Sequence, residues 1–324
     1  MATEDDPEPE RASQDDGRPT LSVVDETDGY TSALAGITAE AVRIGQGVGP
    51  NEVLTIPIES GAVADVSYGF PLTACADIPS DRVFVAYIRE NPGGSRWCGT
   101  QAREGSVVMY PPGTEHVAIA HDGLRLTYAV VETEHLMAHA CALGVAADMP
   151  SHSGLIEFPR SPEAQRFIAS LDGLTHVARR SGALDRPAEH VLTQLVGLLA
   201  DQDRAIRFGP GKGIDSREIV ASCVEYAEAV DRVPSVAELC TAAHVSQRRL
   251  RTAFNDEFDR SPSNYFRTWA LERAHRRLRD GNPEVCNVTA VATELGFDHL
   301  GRFASYYSGI YGVKPSVTLQ SLAS

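Results

Sequence analysis

The sequence predicts an α+β chain, with a β-rich N-terminal half that carries helices behind it and a wholly helical last third. Three observations carry this. Short apolar runs broken by Gly, Pro and Asp fill residues 53–132, helical spacing takes over after Glu134, and residues 214–324 contain a duplicated helical unit. At 324 residues the chain also exceeds what one hydrophobic core usually organises, so two domains are expected.

Met1 to Gly29 is acidic, contains proline and has few apolar side chains, the reverse of a signal peptide's basic start and apolar middle. It reads as a disordered acidic tail. From Val53 to Glu132, runs such as Val83–Ile88 and Leu126–Val131 are rich in Val, Ile, Thr and aromatics, as strands of a small antiparallel domain would be. From Glu134 to Leu199, Leu136, Ala140 and Leu143, then Phe167 and Leu171, then Val191, Leu195 and Leu198 recur at helical spacing. Residues 30–208 are thus expected to form one domain, its helices packing on the β part or on a second subunit. Gly209-Pro210-Gly211-Lys212-Gly213 reads as the linker that follows it, leaving 214–324 as the second domain. Within that domain Asp215-Ser216-Arg217-Glu218 and Ser235-Val236-Ala237-Glu238 have capping-box spacing and predict helix starts.

Charge is unevenly spread. The chain carries a net −15, but residues 214–324 hold 13 Lys+Arg against 14 Asp+Glu while 1–213 hold 16 against 30. Arginines cluster as Arg248, Arg249 and Arg251 and as Arg273, Arg276, Arg277 and Arg279, which predicts two basic patches able to meet phosphates despite the acidic total. Six cysteines at 75, 98, 141, 223, 240 and 286 form no CxxC pair, so reduced thiols in a cytoplasmic protein are expected rather than a zinc knuckle or a disulfide framework. No apolar run approaches the ~18 residues of a membrane span, and no membrane partner is expected.

The duplication lies at an offset of 53 residues: Leu250, Phe254, Phe258 and Pro262 correspond to Phe303, Tyr307, Tyr311 and Pro315. Each copy predicts a short helix, a tight turn and a longer helix, over Val236–Ala243 and Gln247–Phe258, then Thr289–Leu295 and Leu300–Ile310, which is helix-turn-helix spacing. With Leu250 and Phe254 inward, Arg248, Thr252 and Asn255 face outward with Arg251 to one side, behind a cap at Ser246 and next to Gln247. Arginine and asparagine are the side chains that read guanine and adenine edges, and a helix N-terminus suits phosphate oxygens. In the second copy His299, Gly301, Arg302 and Ser305 face outward, a less charged set from which weaker discrimination is expected. The intervening helix, Asn264–Arg279, buries Trp269, Ala274 and Leu278, and Arg249, Arg273 and Arg276 are assigned to the DNA backbone.

These motifs resemble the AraC/XylS family of bacterial regulators: S-x-x-x-L-x-x-x-F at Ser246–Phe254, S-P-x-x-Y at Ser261–Tyr265, A-x-x-x-L at Ala274–Leu278, and G-F…F…Y…P-S at Gly296–Ser316. His299-Leu300-Gly301-Arg302-Phe303 resembles more narrowly the ethanolamine-utilisation regulators. The resemblance implies two recognition helices in successive major grooves of promoter DNA, a small-molecule effector, transcriptional activation and no catalysis or cofactor. RNA polymerase and a second copy of the chain are candidate partners. Two departures stand out. His244 occupies the first turn where the family has Gly, implying a strained turn, and Gly301 replaces a position often polar, implying weaker base contact.

In the N-terminal domain, Gly105-x5-Pro111-x-Gly113-x2-His116 reproduces the spacing of the second cupin motif and predicts a cupin-like, jelly-roll β-barrel. Residues 60–104 contain no histidine, so His116 lacks the companions of a cupin metal site. His121, His135 and His139 are weak substitutes, and no metal is expected. Tyr87, Trp97, Tyr110 and His116 are the expected effector-lining residues. The alternative is a metal-dependent cupin-type enzyme with an accessory helical domain.

Overall fold

The computed structural model describes residues 18–101, 103–150, 155–158, 160–181, 189–208 and 214–321. The expected linker 209–213 and the first 17 residues of the expected tail lie outside them. The chain enters through β1 (Thr20–Val24), α1 (Thr27–Ala33), β2 (Thr38–Arg43), β3 (Asn51–Ile58), β4 (Gly61–Ser67), β5 (Leu72–Asp77) and β6 (Arg82–Glu90). It continues through the short β7 (Arg96–Trp97) and β8 (Thr100–Gln101), then β9 (Val107–Tyr110), β10 (Glu115–Ala120) and β11 (Arg125–Glu132). Next come α2 (Thr133–Ala142), β12 (Ile156–Phe158), α3 (Pro162–Ser181), α4 (Glu189–Ala200) and β13 (Ile206–Arg207).

These strands form two antiparallel sheets among the described residues, β1-β3-β4-β11-β6-β9-β12-β13 and β2-β5-β10-β7-β8. They face one another across a core that takes Phe84, Ala86, Ile88, Tyr110 and Tyr128 from the first and Leu72, Ala74, Trp97 and Ala118 from the second. In place of a closed barrel there are two separate ladders. The opposite face of the larger sheet carries Val83, Val85, Val107, Met109 and Ala129, and α2, α3 and α4 cover it with Leu136, Phe167, Leu171, Val191 and Leu195. Both faces of the central strands are therefore apolar, as a sheet covered on both sides requires.

The sequence reading needs three corrections here. The tail ends earlier than residue 29: β1 pairs with β3 from Thr20↔Thr55 to Val24↔Asn51, and Thr27 is buried in α1, so backbone pairing orders a segment whose composition reads as disordered. The stretch after Glu134 is not purely helical, because Ile156–Phe158 joins β9 and β13 in the larger sheet. Third, Tyr87 does not share a wall with the other expected effector residues. Its neighbours Phe84, Ala86 and Ile88 point between the sheets, whereas Tyr87 packs on the helix-covered face, with Arg89 5.3 Å above its ring.

The C-terminal third is helical: α5 (Ile214–Val230), α6 (Val236–Ala242), α7 (Gln247–Phe258), α8 (Pro262–Arg279), α9 (Val288–Glu294), α10 (Leu300–Tyr311) and α11 (Pro315–Gln320). A single core runs through it from Cys223 and Leu239 to Phe254, Phe266, Leu278, Phe303 and Tyr307, and Val117 of β10 joins that core from the N-terminal half.

Candidate nucleic-acid interface

The duplication is exact in helix length: α6 and α9 each span 7 residues, α7 and α10 each span 12. Ser235 accepts a hydrogen bond from the Glu238 N–H (3.3 Å) while the Glu238 carboxylate accepts one from the Ser235 N–H (2.8 Å), the capping box expected at the start of α6. Both short helices then stop in the same way. The Val245 N–H donates to the Cys240 carbonyl (3.0 Å) and the Phe297 N–H to the Ala292 carbonyl (2.9 Å), with His244 and Gly296 left-handed at φ 53° and 88°. This is the Schellman stop. Glycine occupies that conformation freely and histidine does not, so His244 carries strain of about 1–2 kcal/mol. The copies differ in the turn itself: residues 244–245 separate the caps in the first, residues 296–298 in the second.

The Ser246 side chain caps α7 by accepting from the Arg249 N–H at 3.3 Å. Leu250, Ala253, Phe254 and Phe258 are buried, the rings of Phe254 and Phe258 against Tyr265. That anchoring turns Ser246, Gln247, Arg248, Arg251, Thr252 and Asn255 to the surface, all exposed. In α10, Phe303, Tyr307 and Ile310 are buried and His299, Gly301, Arg302 and Ser305 are exposed. The structure thus places all ten residues expected to face bases on the open faces of the two longer helices. Tyr306, which the sequence reading missed, is 39% exposed beside them and carries Arg267 of α8 at 4.3 Å over its ring.

The arginines assigned to the DNA backbone are placed differently. Arg249 is half-buried. Arg273 pairs with Asp231 at 2.5 Å and lies over the Trp269 ring, and Arg277 binds the other oxygen of Asp231. Arg276 meets Asp28 (3.1 Å) and Glu272 (3.5 Å), and Arg279 meets Asp28 (3.3 Å) and Glu26 (3.8 Å). Glu26 also bonds His275 at 2.8 Å. Burial opposes ionisation of Glu26, but the hydrogen bond and charge of His275, with Arg279 and Arg43 beyond, hold its carboxyl below the usual range. The second of the two basic patches expected from sequence is therefore largely countered from inside the molecule, Arg273 and Arg277 by Asp231, and Arg276 and Arg279 by Asp28 and Glu26 of the segment that reads as a free tail. These last partners lie some 250 residues apart in sequence; the cluster Asp25-Glu26-Thr27-Asp28 is the only sequence signal of them.

Between the N-terminal sheets, His116 stacks on Tyr110 (ring centroids 4.5 Å) and lies 5.6 Å from Phe84, which itself stacks on Tyr128 at 5.0 Å. Trp97 belongs to the same core. Burial, with the Arg217 charge, pushes the His116 imidazole down to about 3, so it is neutral at physiological pH. Three of the four expected effector residues thus share a core filled by stacked rings, with Phe84 and Tyr128 as unforeseen members. Among the described residues no three His, Cys, Asp or Glu side chains converge to hold a metal, and no helix is long and apolar enough to cross a membrane.

A helix-turn-helix domain family matches residues 239–321, which spans α6 to α11. An XylDLEGF operon transcriptional activator 2 of Pseudomonas putida is 35% identical over 136 residues, 41% of this chain and 84% of that protein. A second such activator from the same organism is 32% identical over 168 residues, 48% of this chain and 50% of its own length, and the chain spans about half the length of several curated relatives it matches. Among solved structures, a probable AraC family regulator from Rhodopseudomonas palustris is 36% identical, covers 32% of this chain and 94% of that one, and gives a TM-score of 0.28. Two matched helical hairpins joined through α8, with this identity to an activator covered over most of its length, mean that the chain belongs to the AraC/XylS family of transcriptional regulators.

Proposed function

We propose that the chain is a sequence-specific DNA-binding regulator of the cytoplasm that reads promoter DNA through α7 and α10 and answers to a small molecule held by its N-terminal domain. The observation that supports this most is the exposure of Ser246, Gln247, Arg248, Arg251, Thr252, Asn255, His299, Gly301, Arg302 and Ser305 on two helices anchored by the same buried positions. Arg248 and Asn255 supply the bidentate chemistry that distinguishes guanine and adenine in a major groove, and Arg249 and the α7 N-terminus serve the phosphates.

The N-terminal half is read as a cupin-like sensor. The left-handed Gly105 (φ 82°) and Gly113 (φ 67°) bracket β9, and His116 follows on β10, the arrangement that the motif spacing leads one to expect. Activation by contact with RNA polymerase and action as a homodimer are part of the same proposal, in keeping with relatives named as operon activators. The enzyme alternative draws no support from these relatives.

The test is a pair of binding titrations with Arg248→Ala, one on the cognate duplex and one on random duplex. The expected loss is ~1–3 kcal/mol on the cognate site and far less on random DNA. Equal losses on both would remove Arg248 from the reading surface.

A further inference from the structure

A cleft of about 440 Å³ lies between the halves of the molecule. Its floor is the outer face of β2, β5 and β10, and its roof is α5 with the ends of α7 and α8. Six carboxylates border it: Glu40, Asp77 and Glu115 from the sheet, Glu225 and Glu228 from α5, and Glu257 from α7. Arg217 is the one guanidinium on its described wall. Five of the acids are exposed at the mouth, but Glu257 is only 3% exposed.

Glu257 distinguishes the cleft from an ordinary acidic surface. Its Oε2 is buried without a hydrogen-bond partner, and its nearest charge, Arg217 Nε, stands 3.9 Å away, too far for a hydrogen bond. The Nε and one terminal nitrogen of Arg217 are also buried and unpartnered. A buried carboxylate without a donor is costly, and burial accordingly pushes the Glu257 carboxyl up, with Arg217 only partly offsetting it. The cleft thus holds an acceptor that lacks a donor and a donor that lacks an acceptor, the two paired only loosely across 3.9 Å. Around them Val42, Val117, Val220, Val224 and Ala76 form apolar wall, which suits methylene groups rather than a hydrated ion.

We propose that this cleft binds a small organic cation, an aliphatic ammonium compound whose charged nitrogen donates to Glu257 while its methylenes lie along the valine wall. The mouth carboxylates raise the local concentration of such a cation, as clefts lined by one sign of charge do. Because Glu257 lies at the end of the first reading helix and Glu40, Asp77 and Glu115 belong to the N-terminal sheet, the ligand bridges the two halves. It therefore stabilises the arrangement in which α7 is held against that sheet, and linkage makes DNA and ligand each alter the affinity for the other. The inference builds on the effector-controlled reading but moves the effector from the ring-filled space between the sheets to the cleft beside it, whose wall His116 also reaches.

The test is calorimetric titration of the full chain, without DNA, with 1,4-diaminobutane, 1-aminobutane and tetramethylammonium, and with butanedioate as the dianionic counterpart of the first. The expected result is saturable binding of 1,4-diaminobutane or 1-aminobutane, weaker binding of tetramethylammonium, which has no N–H to donate, and none of butanedioate. Glu257→Gln should weaken that binding at least about tenfold, the scale of a hydrogen bond to a charged group. Asp77→Asn, at an exposed position, should weaken it about twofold to threefold and stands in if Glu257→Gln does not fold. Absence of saturable binding up to about 10 mM, a range that reaches beyond weak millimolar affinity, would overturn the proposal. So would preference for the dianion, or affinity unchanged in both variants. Since no DNA is present, a failure here is separable from a failure of the DNA-binding reading.

Discussion

The two helical hairpins carry the same scaffold and different surfaces. Both have helices of 7 and 12 residues, a Schellman stop, a left-handed residue closing the longer helix (Asp259 and Gly312) and a proline opening the next one (Pro262 and Pro315). What separates them is the open face of the longer helix. In α7 it presents Arg248, Arg251, Thr252 and Asn255; in α10 it presents Gly301, Arg302 and Ser305 behind His299. Duplication has kept the buried positions that fix helix orientation and released the exposed ones, so the fold of each hairpin is set by its core while the proposed reading of DNA falls to side chains that contribute little to stability. The halves also differ in what holds them. The foot of α7 meets the N-terminal half at the acidic cleft through Glu257, while α10 touches it through the Gln46 amide, which donates to the Ser308 carbonyl at 2.9 Å.

If the cores are equivalent, emptying them should be equivalent. Leu250→Ala and Phe303→Ala remove fully buried side chains at corresponding positions and should each cost ~2–5 kcal/mol of stability in denaturant unfolding. A loss in one copy of under half that in the other would break the equivalence. The turns should respond in opposite senses. A Cβ at Gly296 would meet nothing closer than 3.4 Å, so space is not the obstacle, yet at φ 88° Gly296→Ala should cost about 1–2 kcal/mol from backbone strain alone. His244→Gly at φ 53° relieves the same strain and should gain at most about 1 kcal/mol, because glycine also loosens the unfolded chain. Thermal or denaturant midpoints of the two variants moving in the same direction would contradict the shared stop.

Much of the helical half was legible in the sequence. The bounds of α7 are those that the apolar spacing and the Ser246 cap define, and α10 extends one residue beyond the expected Ile310. The connecting helix starts at Pro262 rather than Asn264, because Ser261 caps it by accepting from the Asn264 N–H and proline suits its first position. The β half was legible as a class and poorly in detail. Strands β1, β2 and β12 escaped because three to six residues paired with distant strands leave little local signal. Tyr87 was assigned to the wrong face because β6 is apolar on both, so its alternation has no polar phase to read. The ion pairs of Asp28 and Glu26 with α8, and the convergence of Glu257 with Glu40, Asp77 and Glu115, exist only once the two halves are packed.

The central claim, that two reading heads of unequal strength act on one duplex, is tested most directly by selecting bound sequences from a random duplex pool with the purified chain at two salt concentrations. The account predicts a bipartite motif whose elements lie one helical turn, roughly 34 Å, apart, with one element strongly constrained and the other weakly, and the weak one fading first as salt rises. Recovery of no enriched sequence at either salt would contradict it, as would two elements constrained equally.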